Sequence, residues 1–223
     1  MELSFWESKW RKGQTGFHMS QVYPPLITYL PNFNLDEGAK IVIPLCGKSL
    51  DINWLANEGF RVTGIELSEI AVAETIQRAD DNFTESTKAG FTIYRTKNTG
   101  MEIWQGDFLK FKPGWIPKAD LVYDKAALIA LPPSQRAAYT RKITPLLKKK
   151  GQIFQQTFEY PQSEMNGPPF SVRTEELMKY YGENFHIVLL EQWEAEELRK
   201  GFAKRGLQSY LKEKVYRLTP YRN

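Results

Sequence analysis

Cysteine, histidine and long apolar runs are the scarce features of this chain. Its 223 residues contain one cysteine, Cys46, and two histidines, His18 and His186. A single thiol excludes an internal disulfide. No cluster of His, Cys, Asp and Glu has metal-ligand spacing, so no metal is expected. The chain likewise offers no Ser/His/Asp or Cys/His set for nucleophilic catalysis. No apolar stretch approaches the roughly 18 residues a membrane helix needs. The opening Met1-Glu2-Leu3-Ser4-Phe5-Trp6-Glu7 has no basic segment followed by an apolar core. These absences set the expectation of a cytoplasmic protein with no membrane partner. At 42% hydrophobic and 25% charged residues the composition is that of an ordinary globular domain.

What is present is concentrated in residues 40–66. An apolar strand, Lys40-Ile41-Val42-Ile43, runs into Pro44-Leu45-Cys46-Gly47-Lys48-Ser49, a helix follows, and a second strand, Arg61-Val62-Thr63-Gly64-Ile65, ends at Glu66. In an open α/β sheet the loop after the first strand lets the backbone approach a ligand, and a carboxylate about 20 residues on can accept from both ribose hydroxyls. Glu66 lies 19 positions after Gly47. The loop has neither the three spaced glycines of a dinucleotide site nor the earlier glycine of a P-loop, whose place is taken by Val42. One glycine and a ribose-binding acid suit a nucleoside without phosphates, and S-adenosyl-L-methionine is the common cofactor of that kind. A plain structural turn is the competing reading.

Strand-like and helix-like segments alternate beyond Glu66. Ser68 is placed to cap a helix through Ile76. Phe91-Thr92-Ile93-Tyr94 and Met101-Glu102-Ile103-Trp104 read as an inserted hairpin, closed by Gly106-Asp107-Phe108. Ala119 to Tyr123 forms a fourth strand ending at Asp124-Lys125, a helix spans Ser134 to Leu147, and Gln152 to Phe158 is the fifth strand. A Pro- and Gly-rich loop covers Tyr160 to Ser171, a helix runs from Thr174 to Tyr181, and Phe185 to Leu190 with Leu207 to Leu218 supply the last two strands. The expected fold is therefore α/β, a seven-stranded, mostly parallel, doubly wound sheet ending in an antiparallel pair. Residues 199–223 contain eight Lys and Arg against Glu213 alone. The interleaved Leu211, Val215, Tyr216 and Leu218 favour a strand with one solvated face over a nucleic-acid surface.

Before the first strand, Trp6 and Trp10 share a helix face four residues apart, ended by Gly13. They either pad the core edge or close over a ligand. Taken together, Trp6-x3-Trp10-x2-Gly13-x2-Gly16-Phe17-His18, the Pro44 to Ser49 loop with Trp54-Leu55-Ala56, Val62 to Ser68, Tyr123-Asp124-Lys125-Ala126-Ala127-Leu128 and Gly167-Pro168-Pro169-Phe170 make the chain resemble the thiopurine S-methyltransferase family, among the class I S-adenosylmethionine-dependent methyltransferases. The resemblance implies one Rossmann-like domain over residues 1–223, with residues 1–35 an aromatic lid arm and 36–223 the catalytic core. It implies methyl transfer to the sulfur, selenium or tellurium of small, often aromatic acceptors, a thiol or metalloid, hence metalloid detoxification, by a monomer.

Carried onto this sequence, the resemblance assigns the cofactor to Trp10, Leu45, Glu66, Gly106, Asp107, Phe108 and Lys125, and the acceptor to Phe17 and Trp6. Lys125 and Ala126 depart from the usual Arg and Gly, exchanging a bidentate fork for a point charge. Asp124 either caps its turn or faces the acceptor. His18 either orients the acceptor or is structural. Aromatic thiols and selenols are largely ionised near neutral pH, so no strong base is demanded. Halide or other small-anion methylation is the nearest alternative activity, and nucleic-acid binding by the basic C-terminal segment a more distant one.

Overall fold

Runs of β-branched and aromatic residues between Gly, Pro and Asn build one sheet. The computed structural model describes residues 3–16, 18–79 and 81–221. Among these, nine strands pair: β1 (Lys40–Pro44), β2 (Arg61–Glu66), β3 (Phe83–Lys88), β4 (Phe91–Thr96), β5 (Met101–Gln105), β6 (Ala119–Asp124), β7 (Leu147–Glu159), β8 (Phe185–Glu194) and β9 (Lys212–Pro220). Their order is β3-β4-β5-β2-β1-β6-β7-β9-β8. The five central strands, β5, β2, β1, β6 and β7, are parallel. Antiparallel pairs flank them at both edges.

The central strands read as continuous apolar runs because both faces are covered. Ile41, Ile43, Leu121 and Tyr123 pack on one face against Leu26, Ile52, Leu55 and Val72. These come from α2 (Pro24–Tyr29), α3 (Leu50–Asn57) and α4 (Glu69–Arg78). Val42, Val122 and Ile153 pack on the other against Leu128, Tyr139, Ile143 and Leu177. Those come from α5 (Ala127–Ala130), α6 (Pro133–Ile143) and α7 (Thr174–Tyr181). Alternate residues of a strand point to opposite faces, so two helical layers follow directly from the strand sequences.

The doubly wound α/β sheet is as expected, but it has nine strands rather than seven, because the first arm of the inserted hairpin, β4, and a further edge strand, β3, pair onto it; three local differences stand out. A further edge strand, β3, pairs with β4; its Thr84-Glu85-Ser86-Thr87-Lys88 is exposed throughout, so it lacks the apolar alternation that announces a strand. The helix expected to reach Leu147 stops at Ile143, because Pro145 has no N–H to continue the ladder. The last strand begins at Lys212, not Leu207. The backbone N–H groups of Gln208 and Ser209 instead donate to the Glu164 carboxylate at 2.7 and 2.9 Å, and α8 (Glu196–Ala203) occupies the connection from β8.

One close approach fixes the loop after β1. Cys46 folds back over β2, its N–H donating to Ile65 O at 3.2 Å. A Cβ added to Gly64 would lie 2.8 Å from Cys46 Sγ, with every other neighbour at 3.7 Å or more. Gly64→Ala should therefore lower stability by about 1–3 kcal/mol, the usual cost of overpacking. In a Cys46→Ala background the same substitution should cost less than half as much, as urea unfolding of the four proteins will measure.

Candidate active site

The carboxyl ends of β1, β2, β5 and β6 meet along one edge of the sheet. After β1 the chain turns through Leu45, which takes a left-handed φ of +48° rarely adopted by a branched residue, and Gly47, left-handed at +56°. Ser49 caps α3 by accepting the Asp51 N–H at 3.2 Å. Ser68 caps α4 by accepting from Ala71 N at 3.3 Å, as its position after Glu66 predicts.

Glu66 ties these turns together. Its Oε2 accepts the Gly47 N–H at 2.8 Å and its Oε1 the Ser68 N–H at 2.7 Å. Its backbone oxygen accepts the Gly106 N–H at 2.7 Å. Burial pushes the carboxyl above its ordinary range, against the N–H donors that favour the anion. A carboxylate offers about four lone-pair sites, and two remain for a ligand's hydroxyls. A ribose diol fits that remainder, so the residues present suit the nucleoside expected from the sequence.

The other residues assigned to the cofactor surround this point. Trp10, on α1 (Leu3–Arg11), is buried. Its indole would touch a Cβ placed on Gly47 at 3.5 Å, and the Lys48 ammonium lies 5.8 Å from the ring centroid. Past β5, a Cβ on Gly106 would fall 2.3 Å from the Phe91 ring, so only glycine fits the turn. Asp107 Oδ1 accepts from Leu109 N at 2.9 Å. Phe108 is buried, stacked on Phe111 at 6.4 Å and tilted against Tyr139 at 5.2 Å.

Of the residues assigned to the acceptor, Trp6 is half-buried and edge-on to Phe5 at 5.4 Å. Phe17 lies outside the described residues. His18 is half-buried; burial, reinforced by the charges of Lys48, Arg78 and Lys125, holds its imidazole below the ordinary range, so it is neutral at pH 7. Cys46 is buried, and burial together with the Glu66 charge pushes its thiol well up. It is a small residue in a tight turn rather than a thiolate.

Asp124 and Lys125 face different surroundings although adjacent. The Asp124 carboxylate, fully buried, accepts from Leu128 N at 3.1 Å and from the Tyr139 hydroxyl at 2.6 Å, so it caps α5. Lys125 lies with its ammonium 5.5 Å from the centroid of the Tyr23 ring. Burial lowers its pKa, with the Asp51 and Glu213 charges opposing. Ala126, where the family pattern has glycine, keeps the left-handed conformation at φ +65° and gives its N–H to Gln156 Oε1 at 3.1 Å.

A buried polar chain that the sequence did not announce runs behind Lys125. Tyr23 donates its N–H to Asp51 Oδ1 at 2.8 Å and its hydroxyl to Glu213 Oε1 at 2.7 Å. Tyr123 donates to Asp51 Oδ2 at 2.8 Å, and Gln156 Nε2 to Glu213 Oε1 at 3.0 Å. Local sequence carries only one hint of it, an acidic residue in the first turn of α3.

Burial moves the Asp124 pKa from 3.8 up to about 6, against the donors that favour its anion. A carboxyl raised on folding favours the native state most below its unfolded pKa, and this contribution is lost as pH rises through the folded value. Asp124→Asn has no such titration. Between pH 4 and pH 7 the difference in unfolding free energy should therefore move in the variant's favour by as much as about 3 kcal/mol. Urea unfolding at a series of pH values checks this; a difference that does not change with pH would refute it.

Known proteins resemble this chain over nearly its whole length. The model of the thiopurine S-methyltransferase family matches residues 1–221. The thiopurine S-methyltransferase of Pseudomonas aeruginosa is 38% identical over 218 residues, 98% of this chain and 99% of that protein. A probable thiopurine S-methyltransferase of Yarrowia lipolytica is 35% identical over 221 residues, 98% and 100% of the two chains. Among solved structures, the Burkholderia thailandensis 1,6-didemethyltoxoflavin-N1-methyltransferase with bound S-adenosylhomocysteine superposes with a TM-score of 0.64 at 16% identity, over 97% of this chain and 86% of that one. A TehB-like SAM-dependent methyltransferase from Corynebacterium glutamicum gives 0.57 at 15% identity, over 96% of each chain. The two structures share the Rossmann-like methyltransferase fold, and the near full-length sequence relatives narrow it further: the chain belongs to the thiopurine S-methyltransferase family and is an S-adenosylmethionine-dependent methyltransferase.

Proposed function

We propose that this enzyme methylates the sulfur, or the selenium or tellurium, of small, often aromatic acceptors. The observation that carries the reading is the character of the crevice around Glu66. It combines a buried ribose-type acceptor with a cation, Lys125, set against the Tyr23 ring, and offers little to remove a proton. Asp124 is spent on α5 and Tyr139, and the Cys46 thiol is held protonated. Such a site suits an acceptor that arrives already ionised, as aromatic thiols and selenols do.

Trp10, Leu45, Glu66, Gly106, Asp107, Phe108 and Lys125 would hold S-adenosylmethionine, which supplies an electrophilic methyl group on a sulfonium. Transfer to a thiolate cancels charge, so a dry pocket and close approach supply much of the rate. Trp10 over Gly47 supports the arm as the cover that excludes water, with Trp6 and Phe17 on its acceptor side. Lys125 would face an anionic acceptor as a point charge. The acceptor would leave as its methyl thioether and the cofactor as S-adenosylhomocysteine, the acceptor's proton having already gone to solvent.

Two measurements test this. Glu66→Ala should weaken S-adenosylhomocysteine binding roughly ten- to a hundred-fold by calorimetry, the cost of losing hydrogen bonds to a charged acceptor; unchanged affinity would rule out its role. Methyl transfer should be measured across thiophenol, selenite, tellurite and iodide. Methylated sulfur or chalcogen products are expected, and methyl iodide alone would assign the enzyme to halide chemistry instead.

A further inference from the structure

The polar chain behind Lys125 ends at a groove. Glu213 is buried on β9 and opens beside a cavity of about 360 Å³, lined also by Met19, Tyr23, Trp193 and Glu191. The charged residues lining it are both carboxylates. Glu191 Oε2 accepts the Tyr29 hydroxyl at 3.1 Å near the surface. Glu213 Oε1 receives both Tyr23 and Gln156, an arrangement of donors that suits an anion.

Lys125 is the cation whose charge acts on Glu213. Its ammonium makes no hydrogen bond or ion pair with any described residue, yet it rests on the Tyr23 ring, whose hydroxyl is fixed to Glu213 and whose backbone is fixed to Asp51. One tyrosine therefore links the lysine to two buried acids. Two acids and one ammonium leave the acceptor side with no net positive charge. A carboxylated acceptor entering beside them gains from Lys125 and loses to Glu213 and Asp51, whereas an uncharged ring loses nothing and meets Tyr23, Trp193 and Met19.

We propose that Glu213 is a specificity-determining residue: by offsetting Lys125 across Tyr23, it makes the acceptor groove favour uncharged rings over carboxylated ones. The inference rests on the reading above, in which Lys125 faces the acceptor. Glu213 touches neither cofactor nor reacting atoms in this scheme; it acts through the field it imposes and through Tyr23. The burial that raises the Glu213 carboxyl is opposed by Tyr23, Gln156 and Lys125, in keeping with a mutual dependence of acid and lysine.

The test compares kcat/KM for thiosalicylate and thiophenol, which differ by one carboxylate. Glu213→Gln should raise the thiosalicylate-to-thiophenol ratio by about fivefold or more at low salt, with the gain shrinking as salt is added. Glu213→Asp, which keeps the charge, should leave the ratio at the wild-type value. An unchanged ratio in Glu213→Gln, with both acceptors slowed equally, would overturn the proposal and leave Glu213 structural. Should that variant be too unstable to assay, the wild type decides alone. Added salt should raise its ratio by screening repulsion, and a falling ratio would overturn the proposal. Lys125→Met separates the two levels of argument. A selective loss of thiosalicylate keeps Lys125 on the acceptor side, so that only the Glu213 result is at stake. Equal losses for both acceptors with weaker S-adenosylhomocysteine binding would confine Lys125 to the cofactor and remove the acceptor-side role on which the proposal stands.

Discussion

The crevice depends on the Glu66 carboxylate. Its two oxygens hold the loop after β1 and the start of α4, and its main-chain oxygen holds the turn after β5. Three strand ends are thus registered through one residue. Burying an anion is costly unless donors surround it, and here the donors are backbone N–H groups that would otherwise face the crevice unpaired. The clamp also explains why Leu45 is held in a left-handed conformation that costs a branched side chain of the order of 1 kcal/mol. The loop follows the demands of Glu66 rather than its own local preference.

Legibility in the sequence followed the range of the interactions. β1, β2 and β6 are apolar runs, Glu66 ends one of them, and Ser68 caps the helix that follows; each signal is local, and each matches the structure. β3 left no trace because a solvated hairpin arm of Thr, Glu, Ser and Lys looks like a loop. The start of β9 is not legible locally because Glu164, more than forty residues away, takes the backbone donors of Gln208 and Ser209. The buried chain from Asp51 to Glu213 was invisible for the same reason. Tyr23 and Glu213 are 190 positions apart and meet only because β9 inserts antiparallel between β7 and β8.

Asp124 and Lys125 show how a strand end divides labour. Successive side chains leave a strand on opposite sides, so one charge is directed into the α5 and α6 layer and its neighbour toward the arm. The carboxylate fixes the backbone turn from below while Gln156 fixes Ala126 from the side. Between them the lysine is aimed onto the Tyr23 ring. That Ala126 keeps the conformation suited to glycine indicates that these two anchors, rather than residue preference, shape the turn.

The packing of Cys46 beneath the loop has a practical consequence. This thiol is the chain's one cysteine, it is shielded by β2 at Gly64, and its environment disfavours the reactive thiolate. A thiol reagent can reach it only after the loop between β1 and α3 has lifted away. In the unmodified protein the labelling rate is therefore a clock for that local opening, which slows with anything that strengthens the grip of Glu66 on Gly47 and runs without an engineered probe.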